Sequence, residues 1–291
     1  MIRKIRIFLE MIKFEHTIFA LPFAFMGSLL GAVVMENRLP EWSEIGWVLL
    51  AMFGARSAAM GLNRLIDWRI DKDNPRTSMR AIPAGLLKAA EVIVFIVISF
   101  ILLFAATLNL EPITIKLMPI AVLLLVLYSY TKRFTWLCHV VLGLTIGLSP
   151  LGGWVAVTGE FNLAAWLLYI TIALWIAGFD IIYATQDCEY DRKEGLHSIP
   201  SRFGINRALW IARSFHLLTA VGFLALFWIT ELSWMYLIGI IGAIIILFYQ
   251  HYLVTPSDLS RVPVAFFGMN GTLSVVVFLF TITDLVVLHR W

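Results

Sequence analysis

Nine apolar stretches constrain this chain more than any other feature: 16–35, 44–66, 87–107, 113–130, 135–156, 163–185, 207–229, 235–254 and 264–288. Each is close to the roughly 20 residues a helix needs to cross a bilayer. Helix-ending and turn-forming residues separate them, among them Asn37 to Pro40, Asn74-Pro75, Pro112, Thr158-Gly159 and Thr255-Pro256. Only 14% of the residues are charged while 60% are hydrophobic, against about a quarter charged in a soluble domain. The apolar excess is therefore lipid-facing surface and not an oversized core. These features predict an all-α integral membrane protein, nine transmembrane helices in a bundle around a central cavity, with 1–291 as one transmembrane domain.

The basic residues give the orientation. Arg38, Lys116 and Arg290 fall on one side of the nine-span arrangement, Arg56 lies inside a span, and every other Lys and Arg falls on the opposite side. The positive-inside rule makes that richer side cytoplasmic, with the N-terminus inside and the C-terminus outside. The start, M-I-R-K-I-R, is basic, but the apolar run after it has the length of a full span and no A-x-A-like cleavage site, so it reads as a retained first helix. A formal net charge of +3 gives no reason to expect nucleic acid, and Cys138 and Cys188 show neither metal-ligand spacing nor a disulfide framework.

Two long inner loops, about 67–86 and 186–206, stand out from short outer ones, and both end in an Ile-Pro step (Ile82-Pro83, Ile199-Pro200). Each begins with a pair of aspartates four residues apart: Asp67 and Asp71 in N-R-L-I-D-W-R-I-D, Asp187 and Asp191 in D-C-E-Y-D. Residues at i and i+4 share one helical face, so Asn63, Asp67 and Asp71 make one ridge, which Asp187 and Asp191 can oppose. Facing carboxylates repel and raise one another's pKa. Divalent cations remove that conflict, and magnesium takes hard oxygen ligands from one or two carboxylates with the remainder from water and phosphate. The pattern points to a metal-held diphosphate, with Asn63, Asp67, Asp71, Asp187 and Asp191 as ligands. Lys132 and Arg133 at the inner end of the fourth span can serve diphosphate oxygens or act only as positive-inside anchors. The matched half-spacing of the two motifs also hints at two related four-helix halves.

Polar groups lie deeper as well. Arg56 precedes Asn63 by seven residues and Asp180 precedes Asp187 by seven, which puts both about two turns further into the bilayer. They can form an Arg56–Asp180 ion pair, receive the head of a second substrate, or do both. A developing allylic cation needs a dry, π-rich surround. Tyr183, between Asp180 and Asp187, is the aromatic residue best placed for this among Phe179, Tyr128, Tyr130, Tyr190 and Trp68. Asn270 is a polar interruption that can face the cavity, and His16 sits at the entrance of the first span as an interfacial histidine.

These residues together resemble the UbiA superfamily of intramembrane aromatic prenyltransferases, and the resemblance covers essentially the whole chain. It rests on Asn63, Asp67 and Asp71, on Asp187 and Asp191 following Tyr183-Ala184, on T-K-R at Thr131 to Arg133 and on N-P-R-T at Asn74 to Thr77. The resemblance implies a nine-helix bundle, magnesium bound through the aspartates, and a polyprenyl diphosphate whose tail leaves sideways into lipid, with the two inner loops capping the site. In an enzyme of this kind Arg56 is the expected partner for a substrate carboxylate, and Asp180 or released diphosphate the expected base. Many members carry aspartate directly after the asparagine; Arg64 here gives a diphosphate contact in place of a metal ligand. The pattern is most similar to the branch acting on 4-hydroxybenzoate, which serves ubiquinone or, by the futalosine route with a naphthoate-type acceptor, menaquinone. A membrane transporter using Arg56 and Asp180 as a midplane path is the expectation from a different class, and it leaves the clustering of carboxylates at one rim without a reason.

Overall fold

The structure is a computed structural model that describes residues 2–13, 17–230 and 232–288; His16 and Arg290 lie outside these ranges. The chain order is α1 (Ile2–Met11), α2 (Thr17–Glu36), α3 (Trp42–Ile66), α4 (Trp68–Asp73), α5 (Ala89–Thr107), α6 (Pro112–Thr131), α7 (Cys138–Thr158), α8 (Leu163–Ala184), α9 (Cys188–Lys193), α10 (Ile199–Phe203), α11 (Ile205–Ile229), α12 (Trp234–Leu253) and α13 (Asn270–Thr283). π-Helical segments Val264–Met269 and Asp284–Leu288 flank α13.

Among the described residues eight helical runs are long and apolar enough to cross a membrane, and a shorter apolar helix occupies Ala20–Glu36. Every expected apolar stretch falls on a helix, with ends displaced by a few residues. The two inner loops are not irregular: α4 begins the first, and α9 and α10 lie in the second.

Six helices close a ring in the order α2, α7, α8, α11, α12, α13 and back to α2, while α3, α5 and α6 pack along the α2–α7 side. The largest buried side chains, Trp154, Trp175, Tyr236, Phe23 and Phe223, fill the ring's interior. Lipid is as apolar as leucine, so helix contacts here come from close packing at small residues. The α2–α7 crossing illustrates this. A Cβ at Gly153 would lie 2.1 Å from the Ala24 carbonyl oxygen, whereas one on neighbouring Gly152 would meet nothing within 4 Å. Gly153→Ala is therefore expected to destabilise the bundle by about 1–3 kcal/mol, read as a lower unfolding midpoint in detergent. Gly152→Ala should leave that midpoint unchanged or slightly raised.

At the opposite end from the caps, buried Asp284 accepts hydrogen bonds from Ser233 N–H (3.0 Å), Ser233 Oγ (2.6 Å) and Tyr236 N–H (2.8 Å). It satisfies the otherwise unpaired donors in the first turn of α12 and complements the positive end of its dipole.

Candidate active site

The two acidic motifs share one backbone device. Asp67 sits at a break between α3 and α4 with φ −92° and ψ 3°, and Asp187 sits at a break after α8 with φ −100° and ψ 3°. The first ridge is thus two helices and not one. Hydrogen bonding nevertheless runs on through it, from Asp67 N–H to Asn63 O (3.0 Å) and from Asp71 N–H to Asp67 O (2.8 Å). The break turns the chain across the mouth of the bundle while keeping Asn63, Asp67 and Asp71 on one line.

Both motifs then meet. Tyr190 of the second donates its hydroxyl to the Ile70 carbonyl of the first at 3.0 Å, and Asn74 Nδ2 donates to Asp187 Oδ1 at 3.3 Å. Asn63, Asp67, Asp71, Asp187, Asp191 and Lys132 all line one polar cavity of about 140 Å³.

Repulsion between these carboxylates is relieved by the chain's own cations. Asp67, 2% exposed, is held by Lys132 Nζ at 3.0 Å, Arg133 Nη2 at 2.9 Å and Asn63 Nδ2 at 3.0 Å. Arg80 Nη1 donates to both oxygens of Asp71, at 2.7 and 2.8 Å. Arg76 donates through Nε to Asp187 Oδ1 at 2.9 Å and pairs through Nη2 with Oδ2. Burial works against the Arg76 charge, but the hydrogen bonds and charge of Asp187 together with Tyr183 outweigh it and raise the pKa. Burial also pushes the Asp191 carboxyl up; the nearby charge of Asp187 adds to this, while Ser198 and Lys132 oppose it.

With the acids engaged in this way, no group of three His, Cys, Asp or Glu is gathered as an ion-holding cluster among the described residues. Such pairing makes each cation structural as well as local. Arg80→Gln would strand the buried Asp71 carboxylate and is expected to cost about 1–3 kcal/mol. The loss would be seen as a lower unfolding midpoint that Asp71→Asn partly restores in the double variant.

A second, larger cavity of about 1230 Å³ continues from this rim into the bundle. Arg56, Arg64, Asp180 and Tyr183 line it, as do Asn63, Asp67, Lys132, Asp187 and Asp191. Arg64 is buried and donates through Nη1 to Asn63 Oδ1 at 3.1 Å, which orients the amide toward Asp67. The Tyr183 hydroxyl accepts from Arg76 Nη1 at 2.9 Å, and the Arg76 guanidinium lies 5.1 Å above its ring. From Tyr183 an aromatic wall runs inward through Phe266 (centroids 4.2 Å apart), Phe179 (5.3 Å from Phe266) and Trp175 (5.0 Å from Phe179). The π-helical segment Val264–Met269 brings Phe266 and Phe267 to this wall, a backbone irregularity of the kind that accompanies functional sites.

Two alternatives left open by the sequence are not realised. Arg56 and Asp180 do not pair: Asp180 Oδ2 takes His139 Nδ1 at 2.7 Å, and Arg56 Nη2 donates to the Lys13 carbonyl at 3.5 Å. Equal depth on two helices fixed their height but not their rotation. Asn270 does not face the cavity either; fully buried, it donates to the Phe266 carbonyl at 2.8 Å and accepts from Gln250 Nε2 at 3.4 Å, tying α13 to α12. Of the other aromatics, Tyr128 and Phe179 line the large cavity and Tyr190 the small one, while Tyr130 and Trp68 line neither.

The model of the UbiA prenyltransferase family matches residues 20–274. The chain belongs to the UbiA prenyltransferase family. Membership in the UbiA family sets the transporter expectation aside. The chain is 29% identical over 238 residues to a 4-hydroxybenzoate octaprenyltransferase of Vibrio campbellii, an alignment covering 82% of this chain and 84% of that one. Among solved structures, a UbiA homolog from Aeropyrum pernix K1 is 28% identical with a TM-score of 0.84, covering 93% of this chain and 98% of that one. A UbiA homolog from Archaeoglobus fulgidus bound to GPP and Mg²⁺ has the same fold, with a TM-score of 0.76 at 21% identity over 97% of this chain and 100% of that one.

Proposed function

We propose that this UbiA-family protein transfers a polyprenyl group from an allylic polyprenyl diphosphate to a small aromatic acceptor, 4-hydroxybenzoate first, with a naphthoate-type acid as its rival. One observation carries this reading: Asp67, Asp71 and Asp187, each matched to Lys or Arg, line a small polar cavity that shares Asp67, Asp187 and Lys132 with a deep apolar one. Charge pairs at such a rim are complementary to a metal diphosphate, which is itself cation and anion together.

The donor set fits magnesium. Asn63, Asp67, Asp71, Asp187 and Asp191 offer hard oxygens around one small polar cavity. Bound there, magnesium would supply Lewis-acid stabilisation of charge on the departing diphosphate. Lys132, Arg76 and Arg80 can then turn from carboxylate to diphosphate oxygens, Arg64 holds Asn63 in place, and Arg133 stays on Asp67. The faces of Tyr183, Phe266 and Phe179 give the allylic cation a dry, π-rich wall. Arg56, further in, serves the acceptor's carboxylate. The polyprenyl tail occupies the apolar part of the cavity and continues into lipid.

In this reading α2 completes nine spans, 1–291 acts as one transmembrane domain capped by 67–86 and 186–206, and the N-terminus and the site face the cytoplasm from a bacterial inner membrane. Purified protein in detergent, given a polyprenyl diphosphate, magnesium and a panel of aromatic acids, should yield a prenylated product detectable by mass. Absence of product with every acceptor would contradict the reading.

A further inference from the structure

Inward of the rim, one ionisable pair stands apart from the acid–cation matches. His139 on α7 and Asp180 on α8 meet through Nδ1 and Oδ2 at 2.7 Å. A carboxylate can only accept, so Nδ1 carries a proton, and whenever the imidazole is neutral its lone pair is on Nε2. His139 lines the large cavity, is only 4% exposed, and its Nε2 has no hydrogen-bond partner in the protein. Cys138, next to it in the chain, donates through Sγ to the His197 carbonyl at 3.4 Å. A buried polar atom without a partner is costly unless a ligand group meets it. Ser149 Oγ and Trp175 Nε1, on the same cavity, are also buried without partners. The surrounding wall, with Leu142, Ile146 and Phe179, suits an aromatic ring that carries a hydroxyl.

We propose that His139 is the general base of the transfer, its Nε2 holding the acceptor's ring hydroxyl and taking its proton, with Asp180 as the positioning residue that fixes the imidazole tautomer. This rests on the prenyl-transfer reading above. As the O–H bond breaks toward Nε2, its electron pair moves into the ring, and the ring carbon beside the oxygen-bearing carbon bonds to the allylic carbon. The allylic C–O bond breaks with its electron pair leaving on diphosphate. The ring is then a cyclohexadienone. A diphosphate oxygen takes the proton from the newly substituted ring carbon, and the imidazolium returns its proton to the ring oxygen. The net change is one C–O bond exchanged for one C–C bond, and one proton moved from ring to diphosphate.

The test compares His139→Gln and Asp180→Asn with wild type, using 4-hydroxybenzoate and its 3-nitro derivative, whose hydroxyl is already ionised at neutral pH. For a wild type that accepts only naphthoates, a hydroxynaphthoate and its nitro derivative take their place. His139→Gln should lower kcat on the hydroxy acid by on the order of 10²-fold, leave KM for the polyprenyl diphosphate unchanged, and lose most of that penalty with the pre-ionised acceptor. Asp180→Asn should show a smaller loss with the same acceptor dependence; should His139→Gln fail to fold, this variant carries the test. A kcat at the wild-type level, or an equal loss with both acceptors, would overturn the role of His139. An inactive wild type would overturn the transfer reading and this role together, so the two failures are distinguishable.

Discussion

Asp67→Asn and Asp187→Asn are each expected to lower prenyl transfer by on the order of 10³-fold, the scale of losing one group that stabilises transition-state charge. Asp67 is where three donors converge: Lys132 and Arg133 pair with its carboxylate, and Asn63 donates to it. Asp187 plays the same part for Arg76 and Asn74. Asparagine keeps the size of the side chain and removes the charge, so cation binding suffers before shape does. Turnover in membranes, normalised to folded protein by an unfolding scan, is the measurement. Unchanged turnover in both variants would remove the carboxylates from the mechanism.

The second large effect is metal removal. Chelation should take transfer to background, and added magnesium should restore it, because the developing charge of two phosphates exceeds what Lys132, Arg76 and Arg80 can offset while still matched to Asp67, Asp187 and Asp71. Transfer that survives exhaustive chelation would mean that the cations of the rim suffice alone.

Much of this was legible in the sequence because it depends on local periodicity. Apolar runs of span length became helices at the expected places, and D-x-x-x-D spacing put Asp67 and Asp71 on one line. Asp67 and Asp187 were legible as equivalents from their spacing, whereas the matching backbone break each occupies was not. What resisted reading depends on rotation and on chain reversal. Arg80 was visible only as cytoplasmic charge and Arg76 only as part of N-P-R-T, since their pairing with Asp71 and Asp187 requires the first cap to fold back over the mouth. His139, a single histidine in an apolar run, gave no signal; its pairing with Asp180 on the next helix shows only in the structure. The same blindness to helix rotation left an Arg56–Asp180 pair open as an alternative and allowed Asn270 to face the cavity, although its partner Gln250 lies on another span.

The central claim is that the two acidic motifs and their matched cations form one diphosphate site that requires a divalent ion. Titrating purified protein with a short allylic diphosphate, with and without magnesium, measures it without any acceptor or turnover. Saturable binding that depends on magnesium and is lost in both Asp67→Asn and Asp187→Asn is the expected result. Equal binding without metal, or binding retained in both variants, would contradict it.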